Sequence, residues 1–415
     1  MHGFTAVFLF ALASSTLLRL WLSRRHIRHV LANRDAVPAE FSASIPPAAH
    51  RKAADYTAAK TRLGALETLA AAALLLGFTF GGGLQLLSDA WERIFEAGGY
   101  AHGIALIVSV AFVSSVIDLP FALYRTFVIE GRFGFNRTSL ALFLADLAKQ
   151  AVLGALLLIP LVFCFLWLMA RTGAMWWVYA WATWVAFSLV VQFLYPTIFV
   201  RWFNKFTPLE DASLRSRIEG LLTRCGFRSR GLFVMDGSRR SSHGNAYFTG
   251  FGAAKRIVLF DTLVSRLAPP EIEAVLAHEL GHFSLRHVWK RMGLTFGASL
   301  GILCLLGWLI GQEWFYTALG VRSRSTAMAL VLFFMVVPVF AFLLQPLASL
   351  YSRLHEFEAD AYAARHADAG DLVRALVKLY EDNAATLTPD PLHSAFYDSH
   401  PPAAVRIARL QTLQT

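Results

Sequence analysis

Apolar residues fall into seven runs along this chain, near 4–22, 66–87, 103–124, 151–170, 175–200, 292–312 and 326–350. Each has about 20 residues or more, the length a helix needs to cross the hydrocarbon core of a bilayer. Between the fifth and sixth runs the pattern changes. Positions 210–223 carry an amphipathic helical period, with Leu209, Leu214, Ile218, Leu221 and Leu222 toward one side. Three short β-rich runs follow at 231–235, 245–248 and 256–260, the last two joined through Gly250-Phe251-Gly252, and together they predict a small antiparallel sheet. Pro269-Pro270-Glu271 then opens a helix, with proline in the first turn and an acid at the positive end of the dipole. After the seventh run the helical pattern continues through Ser352 to Ala361. Four regions result: five spans with their loops in 1–200, a polar unit in 201–291, two spans in 292–350, and a C-terminal part in 351–415.

The first run could be a cleavable signal, because Ala11-Leu12-Ala13 resembles a cleavage site. No basic residue precedes it, however, and Arg24-Arg25-His26-Ile27-Arg28 follows it, so a retained anchor is expected. Glu67, Gln85, Asp118 and Lys149 fall in or beside lipid depth, where ionisable groups face protein or water, and they suggest an internal polar cavity. Glu67 and Lys149 fit equally well at headgroup level. Glycines 81–83 read as sites of close helix packing.

A composition 56% hydrophobic and only 16% charged agrees with a membrane protein. Cys164, Cys225 and Cys304 offer neither a disulfide framework nor a thiolate metal site. The net charge of +10 could suggest a nucleic-acid partner, but its distribution argues for a lipid one. With the amino terminus outside, 33 of the 38 Lys and Arg fall in the loops 23–64, 125–150 and 200–291 and in the tail, while the opposite side holds only Arg93, Arg171, Arg322 and Arg324. Basic residues crowd cytoplasmic loops, so 200–291 is expected in the cytoplasm and no nucleic acid is expected. The Ala- and Arg-rich composition points to a bacterial inner membrane, or to the endoplasmic reticulum if the host is eukaryotic.

Within the helix that begins at Pro269 stands His278-Glu279-Leu280-Gly281-His282. On a helix, His278 and His282 lie one turn apart on one face. Zn²⁺ binds imidazole readily, and an open position beside it can hold a water that Glu279 deprotonates. A third ligand is expected after the seventh run, where Glu356 and Asp360 share a face and Glu358 points nearly the other way. Glu356 would ligate, and Asp360 would accept the free ring N–H of a liganding histidine. The competing reading is a solvated acidic helix end. His287 and His366 read as surface residues, His355 is turned about 100° from Glu356, His243 is expected to support the strand at 245–248, and His393 is unassigned.

Several motifs together resemble one family, the integral-membrane zinc endopeptidases typified by CAAX prenyl protease 1. They are Gly134-Phe135-Asn136-Arg137, Phe206-Thr207-Pro208-Leu209, Ser241 to Phe248, Val275 to His282, Glu356 to Asp360, Asp390-Pro391-Leu392 and Ser399-His400-Pro401-Pro402. The resemblance implies a mainly α fold: seven transmembrane helices around a water-filled intramembrane chamber, with a cytoplasmic gluzincin-type protease unit and its small antiparallel β-sheet. It implies one Zn²⁺ on His278, His282 and Glu356, with Glu279 as the base. It further implies that Asn245, Ala246 and Tyr247 form an edge strand for the substrate backbone, and that His400 and Arg406 approach the scissile group, His400 as a transition-state donor. Two positions depart from the family pattern: Gly244, where a serine is usual, and Glu358, where glutamine is common. Neither is expected to touch the ligands.

The implied substrate is a prenylated protein, whose C-terminal tripeptide is removed, although no prenyl-binding feature is legible in the sequence. A membrane quality-control protease is the nearest rival. A transporter with a structural zinc site is a rival from another class, disfavoured because Glu279 would be idle and a structural site usually closes its fourth position with a protein ligand.

Overall fold

Helices that match the apolar runs carry most of this computed structural model, in which residues 2–229, 231–249 and 256–413 are described. In chain order they begin with α1 (Gly3–Ala32), α2 (Pro47–Phe78), α3 (Gly83–Glu92), α4 (Tyr100–Leu123), α5 (Leu140–Arg171), α6 (Trp176–Leu194) and the single turn α7 (Val200–Phe203). The polar unit holds α8 (Ala212–Arg224), α9 (Asp261–Arg266) and α10 (Pro269–Ser284). The chain continues through α11 (His287–Leu309), α12 (Glu313–Thr317), α13 (Thr326–Ala341), α14 (Gln345–His366), α15 (Ala369–Asp382), α16 (Pro391–Tyr397) and α17 (Ala403–Thr412). Among the described residues, seven helical segments are long and apolar enough to cross a membrane, the last of them formed by α13 and α14 together.

The second apolar run is broken where the sequence reading had it continue. Gly82 takes a left-handed conformation (φ 75°), and a Cβ on Gly81 would lie 2.7 Å from the Gly77 carbonyl oxygen, so these glycines turn the chain between α2 and α3. α13 is the buried central helix, with Met328, Ala329 and Leu332 wholly enclosed against Leu106 of α4 and Leu306 of α11. The outer helices expose Phe10, Leu17, Phe112, Leu156 and Val190. That much exposed apolar surface suits lipid.

Three of the four polar candidates have specific partners, whereas Asp118 is exposed on the outer surface of its helix. Arg125 pairs with Glu67, Lys149 Nζ donates to the Trp202 carbonyl at 2.9 Å, and Gln85 clamps Arg322 and Ser323 through their main-chain N–H groups. A cavity of about 700 Å³, lined by apolar side chains including Val110, Phe165 and Trp184, opens between α4, α5, α6, α11 and α13.

The sheet differs from expectation in strand number and direction. Four strands, β1 (Phe206–Pro208), β2 (Leu232–Met235), β3 (Ala246–Thr249) and β4 (Arg256–Phe260), lie in the order β1-β2-β4-β3. β1–β2 and β3–β4 are antiparallel, but β2–β4 is parallel, so the sheet is mixed. After β2 the chain passes to the far edge before β3 runs back, and β4 then fills the space between them, parallel to β2. The Gly250–Gly252 connection lies outside the described residues. Leu276 and Leu280 of α10 share a core with Ile218 and Leu221 of α8, Ile257 and Leu259 of β4, Ala375 of α15 and Leu410 of α17. This core fixes α10 between the sheet and the C-terminal helices.

Candidate active site

One close helix crossing builds the site. Gly281 has no side chain, which lets α10 press against α14 at Ala359 and Tyr362. The crossing faces His278 and His282 toward Glu356. His278 Nε2 lies 3.2 Å from His282 Nε2 and 3.4 Å from Glu356 Oε2, and His282 Nε2 lies 3.4 Å from Glu356 Oε1. Two imidazole nitrogens and the two oxygens of one carboxylate therefore face one another across a small gap.

Behind this group sits a buried support. His278 Nδ1 is 2.8 Å from Asp360 Oδ1, and Arg406 of α17 donates from Nε to Asp360 Oδ2 at 2.9 Å and from Nη2 to Oδ1 at 2.6 Å. Arg406 is only 5% exposed, with Nη1 3.9 Å from Glu356 Oε2. Nε and Nη2 are held by Asp360, which places the guanidinium behind the His278 imidazole. Burial pulls the His278 imidazole down, but the Asp360 and Glu356 carboxylates outweigh it and raise His278 to about 9 in the metal-free protein. Burial pushes the Glu279 carboxyl above its ordinary value, and the nearby His278 and His282 only partly offset this.

A cavity of about 750 Å³ opens in front, lined by Glu279, His282, Glu356, His400, Tyr247 and Phe248 among others. Trp184 borders both this cavity and the apolar one at membrane level. His400 is 62% exposed to this space, with Nε2 3.5 Å from Glu356 Oε1 and Nδ1 3.1 Å from Ser399 Oγ. β3 forms one edge of the sheet. The Phe260 N–H donates to the Asn245 carbonyl, so strand alternation turns the main-chain groups of Ala246 outward; the Asn245 side chain accepts from the Ala246 N–H at 2.8 Å. His243, behind this strand, is 3.0 Å from Asn383 Oδ1 through Nδ1 and 3.6 Å from Glu130 through Nε2.

Sequence reasoning missed His287. Read as a surface residue, it is fully buried, with Nδ1 3.0 Å from His282 Nδ1 and Nε2 2.8 Å from Glu358 Oε2. On an unbroken helix, residues five apart do not share a face. Here Arg286 adopts φ 59°, ending α10 and folding His287 back against His282. Glu358, read as pointing away, thereby reaches the site through His287. The histidine at 287 was the available signal, but the left-handed arginine that redirects it has no sequence signature.

Comparison with known proteins accounts for nearly the whole chain. Residues 26–205 match the sequence model described as CAAX prenyl protease N-terminal, five membrane helices, and residues 208–414 match that of peptidase family M48. The chain belongs to the M48 family, in its CAAX prenyl protease 1 group. Relatives in this group include a probable CAAX prenyl protease 1 of Schizosaccharomyces pombe, 33% identical over 92% of this chain and 83% of that protein. CAAX prenyl protease 1 of Saccharomyces cerevisiae is 36% identical over 77% of this chain and 74% of its own length. The crystal structure of S. mikatae Ste24p superposes with a TM-score of 0.91 at 29% identity, covering 99% of both chains. As an M48 member the protein is a membrane-embedded metalloprotease, which sets aside the transporter reading. The family implies a metal, typically zinc, and the residues fit one. Tetrahedral bonds of 2.0–2.1 Å require donor atoms roughly 3.3 Å apart, close to the separations among His278, His282 and Glu356. Glu356 Oε2 is moreover buried without a hydrogen-bond partner among the described residues.

Proposed function

We propose that this metalloprotease is a zinc endopeptidase of the CAAX prenyl protease type, removing C-terminal tripeptides from prenylated proteins. Its ligands are His278, His282 and Glu356, and its general base is Glu279. The observation that carries this reading is the convergence of the three donor atoms beside Glu279 in a cavity bordered by an open strand edge. A zinc ion held there supplies Lewis acidity and brings the pKa of bound water toward ~7. Glu279 accepts a proton from the attacking water and returns it to the leaving amine, a role helped by its raised pKa. The outward main chain at Ala246 adds the substrate as a further strand, with Asn245 and Tyr247 flanking it, so the enzyme holds backbone more than side chains. His400 donates to the developing oxyanion. Asp360 and Arg406 hold the ring of His278 and do not contact the substrate.

The site faces the cytoplasm in this reading, on the strength of the Lys and Arg distribution. The bacterial inner membrane rests on composition alone, and the relatives named above are eukaryotic.

The test is cleavage of prenylated and unprenylated peptides by wild type and Glu279→Gln, with zinc content measured on both. Wild type should cleave the prenylated peptide, and the variant should keep its zinc while losing on the order of 10²–10⁴ in rate. A zinc-loaded variant of wild-type activity would remove Glu279 from its role. Cleavage of unfolded membrane proteins but of no prenylated peptide would reassign the enzyme to quality control.

A further inference from the structure

The two motif histidines are supported in different ways. The second nitrogen of His278 meets a carboxylate directly, at Asp360. That of His282 meets another imidazole, His287, which in turn meets Glu358. The reason lies in α14. Glu356 and Asp360 share the face turned to α10, whereas Glu358 points away and needs an intermediary to act on the site.

One arrangement of protons satisfies every contact. With His282 Nε2 facing the ligand point, its proton sits on Nδ1 and is donated to His287 Nδ1. His287, neutral, then carries its single proton on Nε2 and donates it to Glu358. The ring of His287 is also held in plane: His355 stacks on it at 4.1 Å with 8° between the planes, and Tyr351 meets His355 edge-on at 4.3 Å. We propose that His287, oriented by Glu358, is the positioning residue that fixes the tautomer and ring plane of His282. The inference rests on the assignment of His278, His282 and Glu356 as metal ligands.

A rival use of the same residues is a second metal site, since His287, His355 and Glu358 bring donor atoms within 4.8 Å of one another. The stacking excludes it. Imidazole lone pairs lie in the ring plane, so two parallel stacked rings aim theirs in parallel planes, and no ion 2.0–2.1 Å from a nitrogen of each can lie in both. Both nitrogens of His287 are, besides, already engaged.

The experiment compares zinc dissociation constants, by competition with a chelator, and Co²⁺ absorption spectra for the full-length protein and four variants. His287→Ala should weaken zinc binding 10- to 100-fold and alter the cobalt bands. His287→Asn, whose side-chain oxygen can accept near the Nδ1 position, should restore most of the affinity. Glu358→Ala should weaken binding by a smaller factor, because the stacked His355 still holds His287. His282→Ala should abolish stoichiometric binding, and if it binds zinc as wild type does, the ligand assignment itself fails. Loss in His282→Ala with wild-type affinity and spectrum in His287→Ala would overturn the positioning role alone. Should His287→Ala not fold, Glu358→Ala decides: its side chain is 51% exposed, and unchanged zinc affinity there would overturn the proposal.

Discussion

Gly281 and Ala359 are the contact on which the candidate site turns: a Cβ on Gly281 would stand 3.0 Å from the Ala359 Cα. The neighbour is main chain and cannot swing aside as a flexible side chain would. Gly281→Ala should push α14 off α10 and separate Glu356 from the two histidines. The expected result is loss of most peptidase activity and weaker zinc retention, with a destabilisation of about 1 to 3 kcal/mol from overpacking. Activity, zinc content and the melting temperature in detergent would check it, and a fully active, zinc-replete variant would count against the crossing as described.

Arg406 is the cation that keeps Asp360 paired in the interior. Arg406→Ala leaves that buried carboxylate with only His278 beside it, a change that costs up to about 3 to 5 kcal/mol. Arg406→Lys should recover only part of this, because an ammonium cannot reproduce the two-pronged contact. If Arg406 instead acted on substrate alone, thermal stability would be unaffected and only the rate would fall, so unfolding curves separate the two roles.

Protons and metal should compete at His278. Its metal-free pKa of about 9 exceeds the ordinary 6.5, so its contribution to stability of the metal-free protein is complete below pH 6.5 and is lost as pH rises through about 9. A metal needs the neutral ring, so binding near neutrality must release this proton. Zinc affinity should therefore rise by about tenfold per pH unit below about 9 and level off above it. Chelator-buffered titrations across this range would measure it, and a flat profile would contradict the Asp360 contact.

The residues that sequence made legible are those whose positions follow from helical period. His278 and His282 one turn apart, and Glu356 and Asp360 one turn apart, needed only the assumption of two helices. β4 at Arg256–Phe260 was readable because it is a short β-rich run with clear ends. What escaped depended on tertiary placement. The parallel pairing of β2 with β4 follows from the path of a connection, which local pattern does not encode. β1 at Phe206–Pro208 has three residues and gains its partners only from β2. His287 was hidden by the left-handed Arg286, and the occupied fork of Arg406 by a helix that begins 37 residues after the end of α14.

That last separation bears on how the enzyme comes into being. α10 is synthesised well over a hundred residues before α17, yet the carboxylate that steadies its first histidine lacks its arginine partner until α17 docks. A chain emerging from the ribosome thus displays the histidine-glutamate motif before it owns a working centre. Completion of the site is tied to arrival of its most distal helix, the one that carries Arg406.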